Sequence, residues 1–137
     1  MSQISTSFIA DPELFQMLND RAQSIAAGSN RLLFRQGDPP IGVYLLKSGT
    51  ARLTSLSESG DEIFTVKVGA GSLLGLPAVI GMKPYSLTAE VLKGAQLSML
   101  TCENFVEVMQ QEPSMLFRLL QVLASEVRFA RETLAHL

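Results

Sequence analysis

The chain has 137 residues, and 47% of them are hydrophobic, which is enough for one domain with a substantial core. Its formal net charge is −2 and its 11 Lys and Arg residues are scattered, so there is no basic stripe to match a phosphate backbone, and we expect no direct DNA binding by this chain. The single Cys and single His exclude an internal disulfide and leave too few ligands for a thiolate or imidazole metal site, so we expect no metal and no cofactor.

The same composition argues against an enzyme and against a membrane protein. The one histidine, His136, is the penultimate residue, so no Ser–His–Asp or Cys–His arrangement can be built around it, and the sequence has no phosphate-binding P-loop. The N-terminal residues lack a charged segment followed by an apolar stretch, and no apolar run approaches the ~18 residues that span a bilayer. We therefore expect a non-catalytic cytoplasmic protein.

A short helix and a series of strands are predicted for the residues up to Thr101. Asp11, Pro12 and Glu13 stand in the order that a helix N-terminus favours, and they predict a helix that continues to about Ala26. From residue 31 onward, β-rich runs alternate with glycine turns at intervals of roughly 8–12 residues, which is typical of a sandwich or barrel. The predicted strands are Arg31–Arg35, Val43–Lys47, Ala51–Ser57, Glu62–Val68, Ser72–Leu74, Leu87–Leu92 and Gln96–Leu100, with a hairpin turn at Glu58–Asp61.

Two helices are predicted after the strands. Thr101 is positioned to cap the first, which runs to Pro113, and the second begins at about Ser114. Apolar residues of the second helix are spaced alternately four and three apart, which is the a and d pattern of a coiled coil. They are Leu116, Leu120, Leu123, Val127, Ala130, Leu134 and Leu137.

We expect this seam to join two copies of the chain in a parallel homodimer. In that register, Glu126 of one chain lies near Arg131 of the other, at the spacing of an interhelical salt bridge. The alternative is that the stripe packs only on its own strands. A second apolar face is available for that contact, however, and it consists of Phe117, Leu119, Val122 and Phe129.

Residues 36–53 read QGDPPIGVYLLKSGTARL, and this segment resembles the opening hairpin of cyclic-nucleotide-binding domains, especially those of the Crp/Fnr transcriptional regulators. The residues that carry the resemblance match the family's turn glycine and acid, its strand aromatic and its second turn glycine; they are Gly37, Asp38, Tyr44 and Gly49. Gly71–Gly75 and Tyr85–Ala89 look like the strands that enter and leave the family's phosphate-binding cassette.

The resemblance implies a mainly β fold with flanking helices. We expect an antiparallel double-stranded β-helix jelly roll that is followed by a long C-terminal dimerisation helix. Residues 1–137 would form a single domain, with 1–30 as an N-terminal helical segment, 31–101 as the roll and 102–137 as the C-terminal helices.

The resemblance also implies a ligand pocket, but one without its charged groups. Where the family has a Glu for the ribose hydroxyl and an Arg for the cyclic phosphate, this chain has Leu76 and Tyr85. Losing the cation removes a contact worth ~1.5–3 kcal/mol. Lys83 could replace it, although lysines are usually solvated. Ala130 and Arg131 stand where cyclic-AMP-dependent relatives place hydroxyl groups against the base. The candidate pocket residues are Leu74, Gly75, Leu76, Pro77, Tyr85, Ser86, Leu87 and Thr88.

We therefore expect a ligand-sensing regulatory domain of the Crp/Fnr type with a degenerate nucleotide pocket. Its partners would be a second copy of the chain and either a neutral or weakly polar small molecule or another protein. Two alternatives remain: a genuine cyclic AMP or cyclic GMP binding domain, and the effector domain of a longer DNA-binding regulator. A metal-dependent enzyme on a similar roll would need several inward-facing His or carboxylate ligands. The single histidine, which is the penultimate residue, argues against this class.

Overall fold

The structure is a computed structural model that describes residues 3–137. Its strands are β1 (Ile4–Ser5), β2 (Gln23–Ala26), β3 (Arg31–Phe34), β4 (Gly42–Ser48), β5 (Ala51–Leu56), β6 (Glu62–Val68), β7 (Leu73–Leu74), β8 (Thr88–Val91) and β9 (Gln96–Thr101). Its helices are α1 (Pro12–Asn19), α2 (Leu76–Gly81), α3 (Cys102–Gln111) and α4 (Leu116–Ala135). A 3₁₀ turn, Pro113–Met115, connects α3 to α4.

The strands form two sheets that pack on each other as a roll. The first sheet has the order β1-β6-β5-β8-β3, and the second has the order β2-β9-β4-β7. The paired strands are antiparallel, apart from the parallel pair of β1 and β6. Residues such as Leu53 of the first sheet and Leu46 of the second share one buried core. The predicted mainly β roll with a long C-terminal helix is confirmed.

Both predicted helix caps are confirmed. The Asp11 carboxylate accepts hydrogen bonds from the backbone N–H groups of Glu13 and Leu14, each at 3.1 Å. The Thr101 hydroxyl accepts one from the N–H of Asn104 at 3.2 Å. These side chains satisfy N–H groups that the first turn of a helix leaves without partners, which is why the sequence marks both helix starts clearly.

The N-terminal segment differs from the continuous helix expected to about Ala26. The helix α1 ends at Asn19, and after a short turn the chain continues as strand β2, which pairs antiparallel with β9. The edge of β9 supplies hydrogen bonds to this segment, so sheet pairing overrides the local preference for helix. Residues 1–30 are therefore not purely helical, and β1 also lies within them; residues 1 and 2 lie outside the described part of the chain.

One face of α4 packs on the roll. Leu119 and Val122 are buried, and the ring of Phe129 meets those of Phe8 and Phe64 edge-on, with centroids 5.4 and 5.9 Å apart. Such aromatic pairs add to the burial of apolar area and fix the angle at which the helix lies. The face of α4 that carries Leu119, Val122 and Phe129 is therefore held against the roll.

The start of α4 is joined to α1 by an arginine, and one residue there, Phe117, does not lie where the sequence predicted. Arg118 donates hydrogen bonds to the carboxylates of Asp11 at 3.0 Å and Glu13 at 2.6 Å. Phe117 was expected on the roll face but is 68% exposed, because two residues turn a helix by about 200° and Phe117 points away from Leu119. Neither α4 nor any other helix within residues 3–137 combines the length and apolar composition that a bilayer span demands.

Candidate ligand-binding site

The predicted pocket residues lie at the end of β7, in the first turn of α2 and in the segment that leads into and begins β8. A small inner cavity of the roll is lined by most of them, namely Leu74, Gly75, Pro77, Tyr85, Ser86 and Leu87. Leu76 points elsewhere and is fully buried in the apolar cluster on the outer face of the second sheet. Thr88 uses its hydroxyl to accept a hydrogen bond from the backbone N–H of Gln36 at 2.9 Å. Leu76 and Thr88 thus take no part in lining this cavity.

Tyr85 fills the inner part of the site. Its ring stacks on Phe34 with the centroids 3.8 Å apart, and its side chain is 2% exposed. The hydroxyl donates to the carbonyl oxygen of Gly42 at 2.7 Å and accepts from the N–H groups of Ile41 at 3.0 Å and Gly42 at 3.2 Å. Tyr85 is therefore a buried clamp between the start of β4 and the segment that leads into β8.

Gly75 permits this placement of the tyrosine ring. Its φ is +89°, and a Cβ at this position would lie 2.7 Å from Cε1 of Tyr85. With the ring in place, the inner cavity has a volume of about 30 Å³, which is room for about one water molecule. The inner site is consequently closed to anything as large as a nucleotide.

Removing the Tyr85 hydroxyl is expected to destabilise the fold. Tyr85→Phe leaves the buried polar groups of Gly42 and Ile41 without this partner, so we expect the free energy of unfolding in urea to fall by about 1–3 kcal/mol. Tyr44→Phe is the matched control, since within residues 3–137 the Tyr44 hydroxyl has no hydrogen-bond partner among the protein groups. Equal losses in the two variants would contradict the clamp.

A second, outer cavity of about 350 Å³ opens beside the inner one, between the first sheet, α2 and α4. It is lined by Phe8, Phe64, Pro77, Ser86, Leu87, Leu123, Glu126, Val127, Phe129 and Ala130. The two cavities share Phe8, Pro77, Ser86, Leu87 and Glu126. In the part of the chain that the structure describes, no Lys, Arg or His lines either cavity, and Lys83 is exposed. The site therefore offers no cation to a phosphate.

Glu126 supplies the only carboxyl group that lines these two cavities within residues 3–137. Its Oε2 atom is buried, and no hydrogen-bond partner for it is found among those residues. Burial raises the pKa of this carboxyl to about 8, because the ionised form loses its hydration. At neutral pH the group is therefore mostly protonated.

The heptad pattern assigned Glu126 to a salt bridge with Arg131 of a partner helix, but in this structure its carboxyl is turned inward. The carboxyl is turned toward the roll because Glu126 shares the inward face of α4 with Leu119, Val122 and Phe129. These four residues are spaced 3, 4 and 3 apart. A carboxylate in the middle of an apolar helix face was the sequence signal for this residue.

The predicted seam of α4 lies on the neighbouring face of the helix. Its exposed leucines and valine are Leu116 at 44%, Leu120 at 58%, Val127 at 49% and Leu134 at 68%. Ala130 is also exposed, and Leu123 is half-buried. Leu116, Leu120 and Leu123 also line an apolar groove of about 610 Å³ that α4 forms with α2 and α3. The chain's own strands thus leave most of this stripe uncovered.

The chain is similar to known regulatory proteins over most of its length. A sequence profile of the cyclic nucleotide-binding domain matches residues 24–112. The regulatory protein HlyX of Actinobacillus pleuropneumoniae is 23% identical over 133 residues, which are 96% of this chain and 55% of HlyX. The chain therefore spans about half the length of such relatives.

Solved structures show the same fold. The Catabolite Activator Protein of Thermus thermophilus matches with a TM-score of 0.77 and 26% identity, over 90% of this chain and 58% of that one. The sensor domain of the transcriptional regulator DNR from Pseudomonas aeruginosa matches with a TM-score of 0.66 and 20% identity, over 89% and 82% of the two chains. At the latter identity the match is evidence for the fold alone.

Proposed function

The chain belongs to the cyclic nucleotide-binding domain family, and we propose that it is a non-catalytic sensor domain of the Crp/Fnr type that has lost its nucleotide site. The observation that carries this proposal is the position of Tyr85. Its ring and hydroxyl occupy the inner site, and the remaining space there is about 30 Å³. The whole chain, residues 1–137, would then act as one sensor domain that does not itself contact DNA.

In this proposal the outer cavity is the ligand site. Its volume of about 350 Å³ accommodates a small molecule, and its lining comes mainly from apolar and aromatic side chains. Part of the lining comes from α4, so a ligand that enters the cavity contacts the helix directly. The cavity thus connects ligand binding to the helix that carries the predicted seam.

The output of the sensor is proposed to pass through a homodimer of α4. Leu123, Val127 and Ala130 line the outer cavity and also belong to the seam, so the same side chains would touch the ligand and lie at the partner helix. An apolar stripe of this length on one exposed helix face favours pairing with a second copy. A ligand beneath α4 would then change the geometry of the pair.

Titration calorimetry with cyclic AMP and cyclic GMP tests the loss of the nucleotide site. Nucleotide binding would require displacement of the buried Tyr85 and would leave the phosphate without a cation, so we expect dissociation constants weaker than about 100 µM for both. A constant tighter than that for either nucleotide would contradict the proposal. It would instead favour the alternative of a working cyclic nucleotide sensor.

A further inference from the structure

The outer cavity carries one strongly polar group, and that group is acidic. Glu126 lies where the inner and outer cavities meet, and its buried Oε2 atom finds no protein partner among residues 3–137. The groups that face it come from the loop before α1, from β6, from α2 and from the loop that leads into β8. In the outer cavity they are Phe8, Phe64, Pro77, Ser86 and Leu87, none of which carries a charge, and the inner cavity adds one titratable group, the hydrogen-bonded hydroxyl of Tyr85.

The other charged side chains of α4 lie elsewhere, and the first of them, Arg118, pairs with the carboxylates of Asp11 and Glu13. Arg128, Arg131 and Glu132 line a separate surface cleft with Ala124 and Val127. No cation from this helix therefore neutralises the carboxyl. A buried acceptor that lacks a partner costs free energy in the empty protein, and a ligand that supplies a donor would recover it.

Aromatic rings surround the same space. Phe129 contacts both Phe8 and Phe64 edge-on, and all three rings line the outer cavity. The face of an aromatic ring attracts a cation, and so does a carboxylate in a medium of low dielectric constant. An anionic ligand would meet the carboxyl with no cation to offset it.

On the basis of the proposed function, we propose that the outer cavity binds a small molecule with an apolar body and a protonated nitrogen, an amine or an amidine, and that Glu126 is its counter-ion. The ammonium group would contact the carboxylate, and the apolar body would lie among Phe8, Phe64 and Phe129. This assignment inverts the charge of the family's phosphate site, because the acid on α4 replaces a cation as the group that recognises the ligand.

The proposal predicts that binding releases a proton. In the empty protein the carboxyl is mostly protonated at neutral pH, since burial raises its pKa to about 8. A cationic ligand must displace that proton, so its affinity should rise about tenfold per pH unit below the pKa and level off above it. A neutral ligand that accepts a hydrogen bond from the protonated acid would show the opposite trend.

The test uses three probes that share one ring: 2-phenylethylamine, 2-phenylethanol and phenylacetate. Amide chemical shifts in NMR titrations locate and quantify binding at pH 6, 7 and 8, and Glu126→Gln is the matched variant. Gln keeps the shape and cannot ionise, so the variant should stay folded, which circular dichroism verifies. We expect the amine to bind saturably at Phe8, Leu87 and Phe129, with an affinity that rises with pH and falls at least tenfold in the variant.

Other outcomes separate this inference from the proposed function. If the alcohol or phenylacetate binds at these amides more tightly than the amine, the cavity is a ligand site as proposed but the charge assignment is wrong. An amine affinity that is unchanged in Glu126→Gln or independent of pH also overturns the role of Glu126, as does the absence of saturable binding by the amine. Failure of the proposed function itself would appear separately, as tight binding of cyclic AMP or cyclic GMP.

Discussion

The double substitution Leu120→Glu with Val127→Glu is expected to convert the proposed homodimer into a folded monomer. Both side chains are exposed on the seam of α4, so neither is needed to hold the helix on the roll. In a parallel pair the two positions meet their counterparts, and the substitutions would bury like charges at the centre of the contact, at a cost of several kcal/mol per dimer. Light scattering of the purified variant should give the mass of one chain.

The matched control replaces two exposed apolar residues away from α4 with glutamate. Leu32 and Ile63 lie on the first sheet and are 42% and 43% exposed, and Leu32→Glu with Ile63→Glu adds the same charge. This variant should remain dimeric. A monomeric unmodified protein at tens of micromolar, or a seam variant that stays dimeric, would contradict the proposed role of α4.

The free energy of unfolding is expected to contain a part that falls as pH rises from about 5 to about 8, and Glu126 is its source. Burial raises the pKa of this carboxyl to about 8 in the folded chain, whereas an unfolded Glu has a pKa of about 4.3. Between these values the folded chain binds more protons than the unfolded chain, so stability decreases with rising pH. Above pH 8 the loss should reach roughly 3–5 kcal/mol relative to pH 4.

Glu126→Gln isolates this contribution from that of the other carboxylates. The variant cannot ionise at this position, so its urea unfolding curves should lack this decrease. The difference in stability between variant and unmodified protein should therefore grow from pH 5 to pH 8. A difference that stays constant over this interval would show that the carboxyl is solvated in the folded protein.

The sequence predicted features that depend on local chemistry. The hairpin after β5 closes where it was expected, with the N–H of Ser57 donating to the carbonyl oxygen of Asp61 at 2.8 Å. Gly49 turns the chain after β4 with a φ of +88°, and a Cβ there would lie 2.7 Å from Cα of Ala95. Turn glycines and helix caps act within a few residues, so one sequence is enough to find them.

Features that depend on distant contacts could not be predicted in the same way. The strand β2 exists because β9 offers it an edge, although the residues of β2 carry no strong strand signal. The role of Tyr85 depends on its hydroxyl reaching Gly42, 43 residues earlier in the chain. The sequence predicted that a charged contact is lost at Tyr85, but it could not reveal that the ring closes the inner site.

A crystal structure of the protein grown in the presence of excess cyclic AMP would test the central claim most directly. We expect electron density for the Tyr85 hydroxyl on the carbonyl oxygen of Gly42, the ring stacked on Phe34, and no nucleotide in the roll. Density for a cyclic phosphate beside Gly75, with Tyr85 displaced from Phe34, would contradict the loss of the nucleotide site.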